Sequence, residues 1–321
     1  MKPSPAVDHS PYAHLTFQDM EGKPKHLITT MEEGSIQIIN SDATLHFWGA
    51  LGMNFTITAA PISIGSFLAL TIGLGGPPFF FYGFLFTGLG QLVLCLAAAE
   101  IASSMPHPLG QAYWVVRLGP QKYNRLAGYI LGWLTNGAWL LIYTTTVLYT
   151  SEILMAVVEV SIPQYSSHSK PWHHFLVYVG VCINALVVNL PKCRKVMDWS
   201  LSASLVFING AALFVLITLL VRANPKQSAT AVFVNVANNS GWGSPAVVFF
   251  LNVLPGLASL GTCDAATHMA EELELPTRDV PRVMMGSALL NYLVAIPTMI
   301  IFLFCIVNPE AMPSNLDRVP L

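Results

Sequence analysis

The chain has 321 residues, 54% hydrophobic and only 10% charged, with a mean hydropathy of +0.57. Soluble domains carry roughly 25% charged residues, so this composition excludes a water-soluble globule and points to an integral membrane protein. Fifteen Lys and Arg against 17 Asp and Glu give a net charge of −2, which excludes a basic face for nucleic acid. The five cysteines lack the spacing of a disulfide framework or a metal site.

Residues 1–45 are polar, carry Lys2, Lys23 and Lys25, and lack the apolar core of a cleavable signal. They are expected to form a cytosolic tail, disordered or loosely helical. Seven apolar segments follow, each long enough to span a bilayer as a helix: His46 to Thr71, Phe79 to Ser103, Leu126 to Val158, Phe175 to Leu190, Leu201 to Val221, Ala246 to Met269 and Gly286 to Val307. The third run exceeds the roughly 20 residues a span needs, so it tilts or emerges as a helical extension carrying Glu152 into water.

Orientation follows from the basic residues. Lys2, Lys23, Lys25, Arg117, Lys122, Arg125, Lys192, Arg194, Lys195, Arg278 and Arg282 fall in one set of loops, and Lys170, Arg222, Lys226 and Arg318 in the other. Eleven against four predicts a cytosolic N-terminus, with the plasma membrane as the expected location and the vacuolar membrane as the alternative. The sequon at Asn238, followed by Asn239 and Ser240, then lies on the outer side where a glycan can be added. A second sequon at Asn54 lies inside the first span.

Two spans are interrupted. Pro61 and Gly65 break the first, in ITAAPISIGSF, and Pro255, Gly256 and Gly261 break the sixth, in NVLPGLASLGTCDAATHMAEE. Either alone reads as an ordinary kink, but paired interruptions in corresponding spans mark the binding site in transporters built from inverted repeats. Unwound backbone within a membrane survives only where its polar groups find partners or face a cavity. Thr58 to Gly65 and Ala258 to Thr262 are therefore expected to form the two halves of a substrate site.

SIGSFLALTIGLGGPP, AAAEIASSMPHPLGQAYW, YILGWLTNGAW and above all GTCDAATHMAEELELPTRDVPR resemble the amino acid/polyamine/organocation superfamily, in particular the fungal permeases for GABA, other amino acids and choline. The resemblance runs from about Leu45 to Ile306. It implies an all-α integral membrane protein of the five-plus-five inverted-repeat, LeuT-like transporter fold, not an enzyme, moving a small amine or amino acid across the bilayer by alternating access, with a co-transported proton and no cofactor or metal. It places the substrate carboxylate on the amides of the first break (Ala59, Ala60, Pro61, Ile62, Ser63) and the amine on the carbonyls of the sixth (Ala258, Ser259, Leu260, Gly261). The third span adds Asn136 and Trp139 as a side wall. The chain departs from the bacterial pattern in reading APISIG where relatives have Gly-Ser-Gly, and in lacking an aromatic lid at the sixth break.

On this resemblance residues 46–221 form the first repeat, 246–307 begin the second, and 308–321 lie in an external loop. Ten spans are required and seven are present, so the chain is expected to be C-terminally incomplete. A non-transporting protein that modulates full-length permeases is the alternative from another class. Between substrates, a carboxylate needs donors at the first break whereas choline needs an aromatic cage. Trp133, Trp139 and Tyr143 supply only part of a cage, so an amino acid is favoured.

Asp264 is expected to cap the helix resuming after the sixth break, or to couple a proton. Glu100, at the cytosolic end of the second span, pairs with Arg117 or Arg125, or forms an inner gate. His268 and Glu271 share a helix face, but the other spans offer no further metal ligands, and with Glu272 they are expected to meet Arg278 and Arg282. The basic LPKCRK loop reads as topology and lipid contact. Asn184, Asn209 and Asn291, inside the fourth, fifth and seventh spans, are expected to bond between helices.

Overall fold

Seven helices among the described residues are long and apolar enough to cross a membrane: Phe47–Leu68, Gly76–Ser104, Asn124–Ser161, Pro171–Val188, Trp199–Arg222, Pro245–His268 and Pro276–Cys305. They correspond one for one to the apolar runs of the sequence. The computed structural model describes residues 12–18, 24–32, 35–40, 45–72, 74–162, 165, 169–190, 194–238, 240–261 and 264–306.

In chain order the elements are β1 (Tyr12–Gln18), β2 (Pro24–Glu32), β3 (Ser35–Asn40), α1 (Phe47–Thr58), α2 (Ala60–Thr71), β4 (Leu74–Gly75), α3 (Gly76–Ser104), α4 (Gln111–Leu118), α5 (Asn124–Ser161), α6 (Pro171–Val188), α7 (Arg194–Arg222), α8 (Ala229–Phe233), β5 (Ala237–Asn238), α9 (Pro245–Leu251), α10 (Val253–Leu260), α11 (Ala265–His268) and α12 (Pro276–Cys305). They fall into two units, residues 1–108 with 199–321, and residues 109–198.

The tail departs from expectation. Where the sequence reading foresees a disordered or loosely helical segment, β1, β2 and β3 form an antiparallel sheet in that order, with Tyr12 opposite Thr30 and Leu27 opposite Asn40. HLTF, ITTM and IQII carry the β-branched residues and the alternation of a strand, a signal that the polar average of the tail conceals.

In the first unit, α1, α2, α3, α10 and α12 carry the core. Ala60, Ile64, Leu68, Phe80, Phe84, Leu260, Tyr292, Ala295, Met299 and Leu303 are buried in one apolar cluster. Helices in lipid gain little from hydrophobicity and pack through small residues instead. A Cβ on Gly83 would lie 2.9 Å from the Asn252 carbonyl oxygen, and one on Gly256 would lie 2.7 Å from Thr87 Cβ. Two glycines thus bring α3 and the sixth span into close approach.

Loop pairings sort the ends of this unit by side. Leu74–Gly75, after the first span, pairs with Ala237–Asn238, before the sixth. At the other ends Leu45 donates to the Glu272 carbonyl at 3.0 Å, and His268 Nδ1 donates to the Pro108 carbonyl at 2.7 Å. The start of the first span, the end of the second and the end of the sixth therefore lie together, as alternating spans require.

The second unit contains α4, α5 and α6. Asn124 Nδ2 donates to the Val116 carbonyl at 2.9 Å, tying the start of α5 to α4. The 38 residues of α5 make it about 57 Å long, well beyond a hydrocarbon core of about 30 Å. Glu152, on this helix, is half-exposed, with His174 Nδ1 at 3.0 Å from its Oε1. Leu141 and Leu186 stand exposed on α5 and α6, the arrangement expected of helices whose solvent is lipid.

Candidate functional site

The first span breaks at one residue. Ala59 separates α1 from α2 with φ 37° and ψ 51°, the only non-glycine residue at positive φ among those described. The left-handed region costs an L-residue about 1–2 kcal/mol, and strain of this kind survives where surrounding contacts over-determine it. Pro61 is the cause: it has no N–H for the Ile57 carbonyl, and its ring disfavours continuous helix in the preceding turn. The break therefore sits two residues before the proline rather than across Pro61 and Gly65, both of which lie within α2.

The same shift occurs in the sixth span. Of Pro255, Gly256 and Gly261, read together as the interruption, the first two are helical in α10, and a junction the sequence did not show falls at Asn252 between α9 and α10. Pro255 leaves the Leu251 carbonyl without its ladder donor, so again the turn before the proline yields. Asn252 repairs the junction: fully buried, it donates through Nδ2 to the Leu74 carbonyl and, at 3.0 Å, to the Val248 carbonyl. A second interruption follows at Gly261, after which the helix resumes as α11.

The structure brings the two halves together. Ala60 from the first break and Leu260 from the sixth are members of the same buried cluster. Pro61 is buried, Thr58, Ala59, Ser63 and Gly65 are half-buried, and Ile62 is exposed. Ser259 is fully buried, whereas Ala258 and Gly261 are exposed. Thr262 lies outside the described residues. Asn136, exposed, and Trp139, half-buried, lie on α5 of the second unit.

The seventh span closes the first break. Asn291, on α12 and 1% exposed, accepts the Ala60 N–H at 3.0 Å and donates to the Ser287 carbonyl at 3.0 Å and the Phe55 carbonyl at 3.5 Å. Asn54, on α1 and also 1% exposed, donates to the Ser287 hydroxyl, which donates in turn to the Met284 carbonyl at 3.1 Å. The helix-to-helix bond expected of Asn291 is present. Asn209 instead donates at 2.7 Å to Leu205 of its own helix. Asn54 and Ser287 escaped the sequence reading: Asn54 registered as a sequon, and nothing in the pattern pointed to Ser287. An amide inside an apolar run was the available signal.

Asp264 stands at the N-cap position of α11 as expected, but its side chain makes no capping hydrogen bond. One carboxylate oxygen lies 4.0 Å from Nε2 of His268. A backbone φ of −72° and ψ of −15° continues the helical turn, whereas a capping side chain folds back from an extended residue. The Arg278 guanidinium binds the adjacent Asp279 at 2.8 and 3.3 Å. Glu100 is exposed near the end of α3, its carbonyl accepting the Ser103 hydroxyl at 2.7 Å. Asn238 is exposed, with Oδ1 accepting the Ser240 hydroxyl at 2.6 Å.

Comparison with known proteins places these features in a family. The model of the family described as "Amino acid permease" matches residues 45–320. The chain is 26% identical over 276 residues to a choline transporter of Saccharomyces cerevisiae, covering 85% of this chain and 48% of the relative. It is 28% identical over 245 residues to a swainsonine transporter of Arthroderma benhamiae, covering 76% and 48% respectively. It is also 26% identical over 242 residues to the amino-acid permease BAT1 of Arabidopsis thaliana, covering 71% and 46%. The chain thus spans about half the length of the curated relatives it matches, and no solved structure matches it. A family match across the whole helical region, carried on seven spans with breaks in the first and sixth, makes this chain a multi-pass integral membrane protein that belongs to the amino acid permease family.

Proposed function

We propose that this protein takes part in moving small amines or amino acids, GABA and choline among the candidates, across a membrane, with the substrate held between the breaks of the first and sixth spans. The observation that carries this reading is the joining of two interrupted helices in one buried cluster through Ala60 and Leu260. A transporter needs polar backbone at membrane depth, and interrupted helices provide it where an unbroken helix has none to offer. Asp264 and Glu100 are proposed to act in coupling or gating, with a proton as the driving ion. The distribution of basic residues supports a cytosolic N-terminus, and with it an external, glycosylated Asn238, at the plasma membrane. Uptake of labelled GABA, choline and neutral amino acids by cells expressing the chain tests the reading. Saturable uptake of any one above vector controls is expected; no uptake of any, with surface expression confirmed, overturns transport by this chain.

A further inference from the structure

The first break has spent its donors and kept its acceptors. The Ala59 N–H bonds the Phe55 carbonyl at 2.8 Å, the Ala60 N–H bonds Asn291 Oδ1 at 3.0 Å, and the Ile62 and Ser63 N–H groups bond the Ala59 carbonyl at 2.9 and 3.1 Å. Pro61 has none. A carboxylate arriving here meets no open amide. The Ile57 carbonyl, by contrast, loses its ladder donor to Pro61, and the Thr56 carbonyl loses its own because Ala60 turns to Asn291. The buried side-chain atoms without a hydrogen-bond partner among the described residues include Asn54 Oδ1 and Asn252 Oδ1, acceptors only, and the Ser259 hydroxyl, which can serve either way.

Charge points the same way. No lysine or arginine occurs between Leu45 and Val116 or between Gln227 and Thr277, so the first, second and sixth spans hold no such cation to face an anion. His268 on the sixth span commits Nδ1 to the Pro108 carbonyl. The charged residue nearest in sequence to the sixth break is Asp264, an anion. A carboxylate buried at the first break, with neither cation nor open amide beside it, is expensive, whereas an ammonium finds carbonyl acceptors there and a neighbouring negative field.

We infer that Asn291 is a specificity-determining residue: its carboxamide oxygen occupies the Ala60 amide and closes the first break to carboxylates, so that the paired breaks take a protonated amine lacking a carboxylate. The inference rests on the transport reading for the location of the site, and it reverses the preference for an amino acid drawn from sequence. Asn291 does from within what a bound carboxylate would otherwise do.

Butylamine, GABA and butyrate share a four-carbon chain and carry the amine, both groups, or the carboxylate alone. Each is titrated against the full chain purified in detergent, with thermal stabilisation as the readout, and uptake of each is measured in cells. Butylamine is expected to stabilise the wild type at concentrations about tenfold below those needed for GABA, the size of effect one charge-assisted hydrogen bond gives, with butyrate silent. Asn291→Ala, which releases the Ala60 amide, should remove that discrimination by improving GABA while leaving butylamine within about threefold. Asn291→Ser replaces it if the alanine variant does not fold, and the wild-type ratio decides if neither folds. GABA binding as well as butylamine in the wild type, or equal weakening of both in the variants, overturns the role of Asn291. Stabilisation by butylamine over GABA without uptake of either supports that role and overturns transport instead. No stabilisation by any of the three overturns the site itself.

Discussion

Replacing Gly83 by alanine tests the close approach of α3 and the sixth span. The added Cβ would lie 2.9 Å from the Asn252 carbonyl oxygen, 3.2 Å from its carbon and 3.4 Å from its Cβ. Ordinary van der Waals contact begins near 3.4 Å, so the helices must part by about 0.5 Å, and the atoms in the way are backbone that cannot rotate aside. Asn252 is also the residue that repairs the sixth break, so the displacement strains its bonds to Leu74 and Val248. Overpacking of this kind costs about 1–3 kcal/mol, against the roughly 0.5–1 kcal/mol that alanine gains over glycine within a helix. Gly90, two turns along the same helix, has nothing within 4 Å of the corresponding position and serves as the control. Gly90→Ala is expected to be neutral or slightly stabilising, and Gly83→Ala to be less stable than it by about 2 kcal/mol. Thermal unfolding of both variants in one detergent, followed by fluorescence-detected gel filtration, measures the difference. Equal midpoints for the two variants would refute the close approach.

Further outcomes follow from the break and the loops. Ala59→Gly should raise the melting temperature by the equivalent of about 1 kcal/mol, since glycine holds positive φ without strain, and a lower midpoint would show that Ala59 is not left-handed. A double-mutant cycle on Asn54→Ala and Ser287→Ala should give a coupling of about 0.6–1.7 kcal/mol, the range for hydrogen bonds between membrane helices; additivity would mean the bond is not formed. In a eukaryotic host the wild type should carry a glycan removable by endoglycosidase and Asn238→Gln should not, whereas an unmodified wild type would argue against an external position for this loop.

The sequence by itself determined the membrane class, the seven spans and the two interrupted helices, because burying apolar residues in lipid demands long uninterrupted runs and proline and glycine stand out within them. It also foresaw that Asn291 would bond to another helix. It put the first break at Ala59 to Ser63 and the sixth at Ala258 to Gly261, and the chain does leave the helix at Ala59 and at Gly261; what it missed is that Pro61, Gly65, Pro255 and Gly256 are themselves helical and that a further junction falls at Asn252. A proline disturbs the turn before it, and which residue of that turn leaves the helix depends on which partners the freed groups find. Those partners are tertiary. Asn291 is 231 residues from Ala60, and Leu74 is 178 residues from Asn252. No local pattern couples positions so far apart. Only the packing of the seventh span against the first decided that the Ala60 amide, open to a substrate in the sequence reading, is bonded from within.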